Sequence, residues 1–250
     1  MTRTHVAAVS ERTGGAASSI PAGLTMTDAV HRRLSADIVS GRLAPGDRLQ
    51  FEMLKQRYEV GISPLREALQ RLSSESLVTS EGHVGFRVAP MSLRDLEDIN
   101  SMRLMLETAA LRDSLRNGDV AWESRVVAAS HQLSRSPLPS TPDSPEAEHW
   151  EEQHRVFHDV LISACGSRWT LVFCRTLFWQ FRRYRRIILA KYWSQAPVRT
   201  TIDAEHKRLV DAVLARDDER AVALLTTHYE NSARRVVAEY RRVHGEGSML

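Results

Sequence analysis

Several things are scarce in this chain, and each shortage closes off a class of protein. With two cysteines in 250 residues, Cys165 and Cys174, there is no disulfide framework of the kind small secreted scaffolds depend on. Both sit in apolar surroundings and are expected to be free, buried thiols. No run approaches the roughly eighteen apolar residues of a membrane-spanning helix, and the first residues, MTRTHVAAVS, lack the apolar core of a secretory signal. The expectation is a soluble, cytoplasmic protein with no membrane partner. There is no internal repeat and no glycine-rich phosphate loop. Charge of one sign is lacking too: 34 Lys and Arg nearly balance 31 Asp and Glu, so a formal charge of +3 permits a polyanionic partner without demanding one.

What is present is enough apolar material, 42% of residues, to build a real core, in a chain longer than one average domain. Residues 1–24, rich in Ala, Ser, Gly and Thr with no apolar period, are expected to be a disordered arm. From Val30 the apolar residues Val30, Leu34 and Ile38 recur every four positions, predicting a helix that stops at Gly41. After a turn at LAPGDRL, Phe51–Tyr58 reads as a second short helix. Ser63 then precedes a third, with Pro64 in its first turn and Leu65, Ala68, Leu69 and Leu72 on one face. The period next switches to two in LVTS and GFRVA, joined through Glu81–Val84 as a small hairpin. Three helices followed by a hairpin is the order of a winged helix-turn-helix, here assigned to residues 25–92.

Beyond Pro90 the chain reads as helical. Ser92 opens a long amphipathic helix with Leu96, Ile99, Met102, Leu106 and Ala109 as its apolar stripe. Four prolines make residues 134–148 a loop, and helices resume at HRVFHDVLISAC and continue toward residue 243. The fold class is therefore mainly α, an N-terminal winged helix-turn-helix plus a C-terminal all-helical ligand-binding bundle over residues 93–243.

In a helix-turn-helix the second helix enters the major groove of double-stranded DNA. Arg66, one turn into SPLREALQRL, is placed to fork onto guanine or clamp a phosphate, and Ser63 at the helix start to bind a phosphate. His83 and Gly85 belong to the wing. Residues 25–94 carry ten Lys or Arg against eight Asp or Glu, a weak basic footprint, so the order of elements rather than charge supports DNA binding.

HRVFH puts His154 and His158 one helical turn apart on a face shared with Phe157, Leu161 and Ile162. His206 lies on the stripe Leu209, Val210, Val213, and His228 on the stripe Ala221, Leu224, Leu225, so all four are expected to point inward. A single inward histidine is usually a core residue with satisfied nitrogens. Four facing one interior each need partners for both nitrogens, and a metal satisfies one nitrogen of each. A metallohydrolase is the rival from another class. In HExxH enzymes a glutamate beside the first histidine is the general base; here that position is Arg155, and Asp159 projects about 100° round the helix from His158.

PGDRL, SPLREALQRL, the SLV that follows it and GFRVAPMS resemble the DNA-binding domain of the GntR transcription regulators, and the helical remainder resembles the ligand-binding domain of their FadR branch. YEVGISPLREAL, ACGSRW and DAVLARD are further similar to a subgroup of carbon-starvation-induced, glutarate-responsive repressors. The resemblance implies a homodimer on a palindromic operator, released by a small organic acid such as a dicarboxylate. It also implies a divalent metal, with His158, His206 and His228 matching the branch's histidines and His154 replacing its Asp or Asn. An all-nitrogen set suits Zn or Ni better than Mg or Mn. Arg103 matches an arginine that pairs the effector's carboxylate, although an i,i+4 pair with Glu107 is equally open. In FRRYRRIILAK most arginines are expected to be solvated, with Arg185 chosen as a second effector contact. The chain departs from the family where Gly61 and Ile62 replace an arginine ahead of the PLREAL block, which shifts base readout toward Arg66, Ser63 and the wing. A purely structural metal without an effector is the remaining alternative.

Overall fold

A computed structural model describes residues 25–80, 85–137, 141, 144–189 and 196–244; the expected arm at 1–24 and His83 lie outside them. Helix α1 (Met26–Val39) starts at a capping box, in which the Thr25 hydroxyl accepts from the Asp28 amide and the Asp28 carboxylate accepts from the Thr25 amide. It ends at Ser40, and Gly41 follows at φ 78, where a side chain would be strained. Strand β1 (Arg48–Leu49), helices α2 (Phe51–Tyr58) and α3 (Ile62–Ser74), and strands β2 (Val78–Ser80) and β3 (Phe86–Val88) complete the winged unit. The sheet is antiparallel in the order β1-β3-β2, with Val78 opposite Val88 and Leu49 opposite Phe86.

Two details differ from expectation. The two-residue strand β1 is too short to show alternation, so its pairing with β3 has no sequence signal. Helix α3 begins one turn edge earlier than read: Gly61, at φ −72 and ψ 170, is the N-cap, and Ser63 sits inside the first turn without capping it. Pro64 remains acceptable there because first-turn amides have no intrahelical acceptor. The unit's core is aliphatic, with Leu34, Leu54, Leu65, Leu69 and Leu72 fully buried. Its buried charge, Asp37, accepts from the Tyr58 hydroxyl at 2.7 Å, Arg42 Nε at 2.7 Å and Arg57 Nε at 3.0 Å.

Helices α4 (Leu93–Asn117), α5 (Val120–Arg135), α6 (Pro145–Leu161), α7 (Arg168–Leu189), α8 (Ala196–Leu214) and α9 (Asp218–His244) follow. Ser92, Asp119 and Ser144 cap the first three through their side chains. The expected loop at 134–148 is shorter than read, since Pro145 occupies the first turn of α6 instead of preceding it. Helix α4 packs on α7 and α9, α5 on α6 and α8, and α8 on α9. The stripe that α4 buries is Leu96, Ile99, Arg103, Glu107, Ala110 and Leu111, while Met102 and Ala109 are exposed. The apolar period misassigned this face because its middle is an ion pair.

The arginine run also departs from expectation. Arg182, Arg183, Arg185 and Arg186 are all buried, because α7 is covered on opposite sides by two different neighbours. Toward α6, Arg182 and Arg186 pair with Glu148, and Arg182 and Arg185 with Glu151. Toward the winged unit, Arg183 donates to the Ala89 carbonyl at 2.6 Å, and Gln180 donates to the Glu75 carbonyl at 2.6 Å.

Candidate metal centre and DNA-reading surface

On the winged unit, Ser63 and Arg66 are both exposed at the start of α3. The Arg66 guanidinium lies 5.1 Å from the centre of the Phe51 ring, a cation–π contact that holds a solvated side chain in place without neutralising it. Gly61 leaves the free amides at this end of α3 unobstructed by any side chain, the arrangement that receives a phosphate. Gly85 adopts φ +104 and an added Cβ would meet nothing within 4 Å, so backbone conformation is what requires glycine there.

In the helical bundle, α6, α8 and α9 bring His154, His158, His206 and His228 together, all buried. One ligand nitrogen of each lies within 4.8 Å of the others. Nε2 of His154 is 3.2 Å from that of His158, and Nε2 of His206 is 3.4 Å from that of His228. Nitrogens sharing one metal at bonds of about 2.0–2.1 Å stand about 3.3 Å apart in a tetrahedron, so the spacing fits an ion. Burial, followed by neighbouring positive charge, holds His154, His158 and His206 well below the usual histidine value; they are neutral and able to ligate. Burial depresses His228 as well, although its bond to Glu205 opposes this.

A second layer orients these rings. His228 Nδ1 is 2.7 Å from Glu205 Oε2, and Glu205 also accepts from Asn231 and Arg235. Burial pushes the Glu205 carboxyl up, but these donors outweigh it and keep the group ionised. Tyr229 donates its hydroxyl proton to Glu107, and its oxygen lies 3.1 Å from His158 Nδ1. Burial raises Tyr229 well above the usual phenol value, so that proton is retained. In both cases the carboxylate or phenol oxygen takes a ring Nδ1–H and leaves Nε2 aimed at the centre. On the His154 side, Trp150 stacks on the ring at 4.6 Å and Arg185 Nη1 lies 3.1 Å from Nδ1.

Of the two effector candidates, Arg103 is fully buried and donates from Nε to Glu107 at 2.9 Å, with its guanidinium 4.1 Å from the Tyr229 ring centre. The pair with Glu107 is thus formed. Arg185 is held by Glu151 and His154, and its Nε carries no hydrogen bond among the described residues. Asp159 is turned away from the cluster and pairs with Arg155. Sequence reasoning missed Glu205, Glu107 as a centre residue, and Tyr229. Glu205 and Tyr229 each adjoin a histidine in sequence, so helical periodicity puts them on other faces, and only the packing of α8 on α9 and of α9 on α4 brings them in.

A winged helix-turn-helix joined to a helical bundle with a buried histidine cluster has the form of a DNA-binding transcription regulator. Residues 26–88 match the model of bacterial regulatory proteins of the gntR family, and residues 98–231 match that of the FCD domain. The chain belongs to the GntR family of transcriptional regulators and carries an FCD ligand-binding domain. It is 44% identical over 83% of its length, and 84% of the relative's, to the uncharacterized HTH-type transcriptional regulator BphR of Paraburkholderia xenovorans. To the HTH-type transcriptional repressor GlaR of Escherichia coli it is 34% identical over 79% of its length and 90% of the relative's. The solved structure of E. coli McbR/YncC shares the fold at a TM-score of 0.70, with 20% identity, covering 87% of this chain and 99% of that one. Family and relatives are regulators, not enzymes, and among the described residues no helix is long and apolar enough to cross a membrane.

Proposed function

We propose that the chain is a homodimeric repressor of a palindromic operator, and that a small organic acid, a dicarboxylate such as glutarate, releases it by binding at a Zn or Ni ion in the four-histidine centre. The observation that carries this reading is the centre itself: four neutral, buried imidazoles converge, two of them with Nε2 freed by a neighbouring oxygen, and two buried arginines flank them. Repression follows the description of GlaR. Ser63, Arg66 and Gly85, with His83 of the wing, are the proposed DNA contacts. Arg103 and Arg185 are the proposed effector contacts, a guanidinium being the matching partner of a carboxylate. Dimerisation is supported by Trp169 and Phe173 on α7 and Met105 on α4, all more than half exposed to solvent. Two-fold symmetry then presents two α3 helices one DNA turn apart. An acid that prefers a conformation with those helices mis-spaced lowers operator affinity by that preference.

The test is a thermal-shift panel of C4 to C6 dicarboxylates on metal-loaded and chelator-stripped protein. An acid that raises the midpoint of the loaded form alone supports an effector site at the metal. If chelation lowers the midpoint while no acid raises it, the metal is structural and the effector reading fails.

A further inference from the structure

Two of the four histidines, His228 and His158, are fixed in one polarity by their neighbours, and His154 is fixed in the other. His228 gives its Nδ1 proton to Glu205, and His158 gives its own to the Tyr229 oxygen, because the Tyr229 hydroxyl hydrogen is committed to Glu107. Both rings therefore present a bare Nε2. His206 Nε2 lies 3.4 Å from that of His228, and among the described residues no arginine holds the proton of its ring on that atom, so it remains available to a metal. At His154 the neighbour of Nδ1 is Arg185 Nη1, at 3.1 Å. A guanidinium has donors only. Nδ1 of His154 must accept, so its ring proton sits on Nε2, the atom that faces the centre. Arg185 is fixed in that pose by Glu151 through its other terminal nitrogen, and the His154 ring is clamped flat against Trp150.

We infer that His154 is a hydrogen-bond donor and not a fourth ligand: a metal here is held by His158, His206 and His228, and the His154 Nε2–H is kept for an oxygen of the anion that fills the remaining position. This rests on the proposed metal site and narrows it. A protonated ring nitrogen has no lone pair to give. In the structure its hydrogen points at His158 Nε2, 3.2 Å away. Once that lone pair is used in coordination, the donor needs another acceptor, and a carboxylate oxygen at the open position supplies it. Three nitrogens and one exchangeable position is also the coordination that admits an external ligand, whereas four protein ligands close the sphere. His154 thereby makes the position selective for groups with an accepting oxygen over neutral amine ligands. Nothing here requires His154 to change its charge.

The test compares His154→Ala, His154→Gln, His158→Ala and His206→Ala in the full chain, each first checked for the parent's helical content. Metal affinity is read by chelator competition, coordination number by X-ray absorption of the zinc form, and anion binding by titrating acetate into the Co(II) form and following its visible spectrum. His154→Ala is expected to keep one metal with affinity within about tenfold of the parent, while His158→Ala and His206→Ala lose more than about 100-fold. The parent is expected to show three imidazoles. Acetate affinity is expected to fall about tenfold in His154→Ala, the scale of one lost charge-assisted hydrogen bond, and to recover in His154→Gln, whose amide can donate. Four imidazoles in the parent, or metal loss in His154→Ala as deep as in His158→Ala, overturns the inference while leaving the metal site standing. Unchanged acetate binding in His154→Ala overturns the donor role. A parent that takes up no metal overturns the site and, with it, the inference.

Discussion

The two halves of the chain bury opposite materials. Among the described residues the winged unit has an apolar core with one buried charge, Asp37, and keeps Ser63 and Arg66, the proposed DNA contacts, in solvent. The bundle buries Arg103, Glu107, Glu151, Arg185, Glu205 and four histidines in its interior. Desolvating charges is costly, and a well-packed apolar replacement is often as stable or more so. The bundle nevertheless retains such an interior, around a histidine cluster that could hold a metal, where the winged unit keeps its cations mostly outside. The difference tells where the proposed contacts are to be tested: on exposed cations in the first half and on buried ones in the second.

The largest test of this contrast removes one partner of a buried pair. Arg103→Ala leaves Glu107 buried without its cation, with only the Tyr229 hydroxyl as partner, and is expected to cost about 3–5 kcal/mol in chemical denaturation, whereas replacing both by Met and Leu is expected to recover most of that loss. A cost below 1 kcal/mol would mean that water reaches the pair, and that the bundle interior is less dry than its burial indicates. Metal removal comes next. At free metal 100-fold above its Kd, stripping with chelator should cost about 2.7 kcal/mol of the bundle's stability, seen as a lower thermal midpoint that adding Zn restores.

In the winged unit the largest effect belongs to its exception. Burial pushes the Asp37 carboxyl up, but hydrogen bonds from Tyr58, Arg42 and Arg57 outweigh this and leave it below the ordinary carboxylate value of 3.8. Its folded value is depressed, so its contribution is present in full above 3.8 and drains away as pH falls through the folded value. Asp37→Asn is expected to cost about 2 kcal/mol at pH 7, and the difference from the parent should close on acidification. A constant difference down to pH 2 would sink that assignment. Gly85→Ala, strained at φ +104, should cost about 1 kcal/mol by thermal melting. Smallest in stability is Arg66→Ala, within about 0.5 kcal/mol, yet it should weaken operator binding by about 1–3 kcal/mol at fixed salt in a fluorescence titration.

The same contrast governs how far the sequence could be read. Where a helix buries aliphatic residues and exposes polar ones, its pattern is plain, and the span Phe51–Tyr58 was legible to the residue. The histidines were legible as well, because each sits on an apolar stripe. Legibility failed where charge goes inside. Arg182, Arg183 and Arg186 read as surface, since nothing in a single helix says that acids on α6 and backbone carbonyls of the winged unit await them. On α4 the Arg103–Glu107 pair shifted the true buried face away from Met102. Ser63 looked like a cap because it is the preferred residue type there, while Gly61 did the work without a side-chain bond. Strand β1 offered two residues, too few for any period.

Helix α7 reaches the DNA-binding half through peptide groups. Gln180 and Arg183 bond to the carbonyls of Glu75 and Ala89, Tyr184 accepts from the Ser92 amide, and Tyr240 of α9 donates to the Met91 carbonyl. Every residue type except proline offers the same amide, and every one offers the same carbonyl. The side chains of Glu75, Ala89, Met91 and Ser92 take no part in these four bonds, so the bonds do not depend on which side chain stands there. On the side of the DNA-binding half, the joint between the two halves is therefore written in backbone, the part of the chain that a substitution leaves in place.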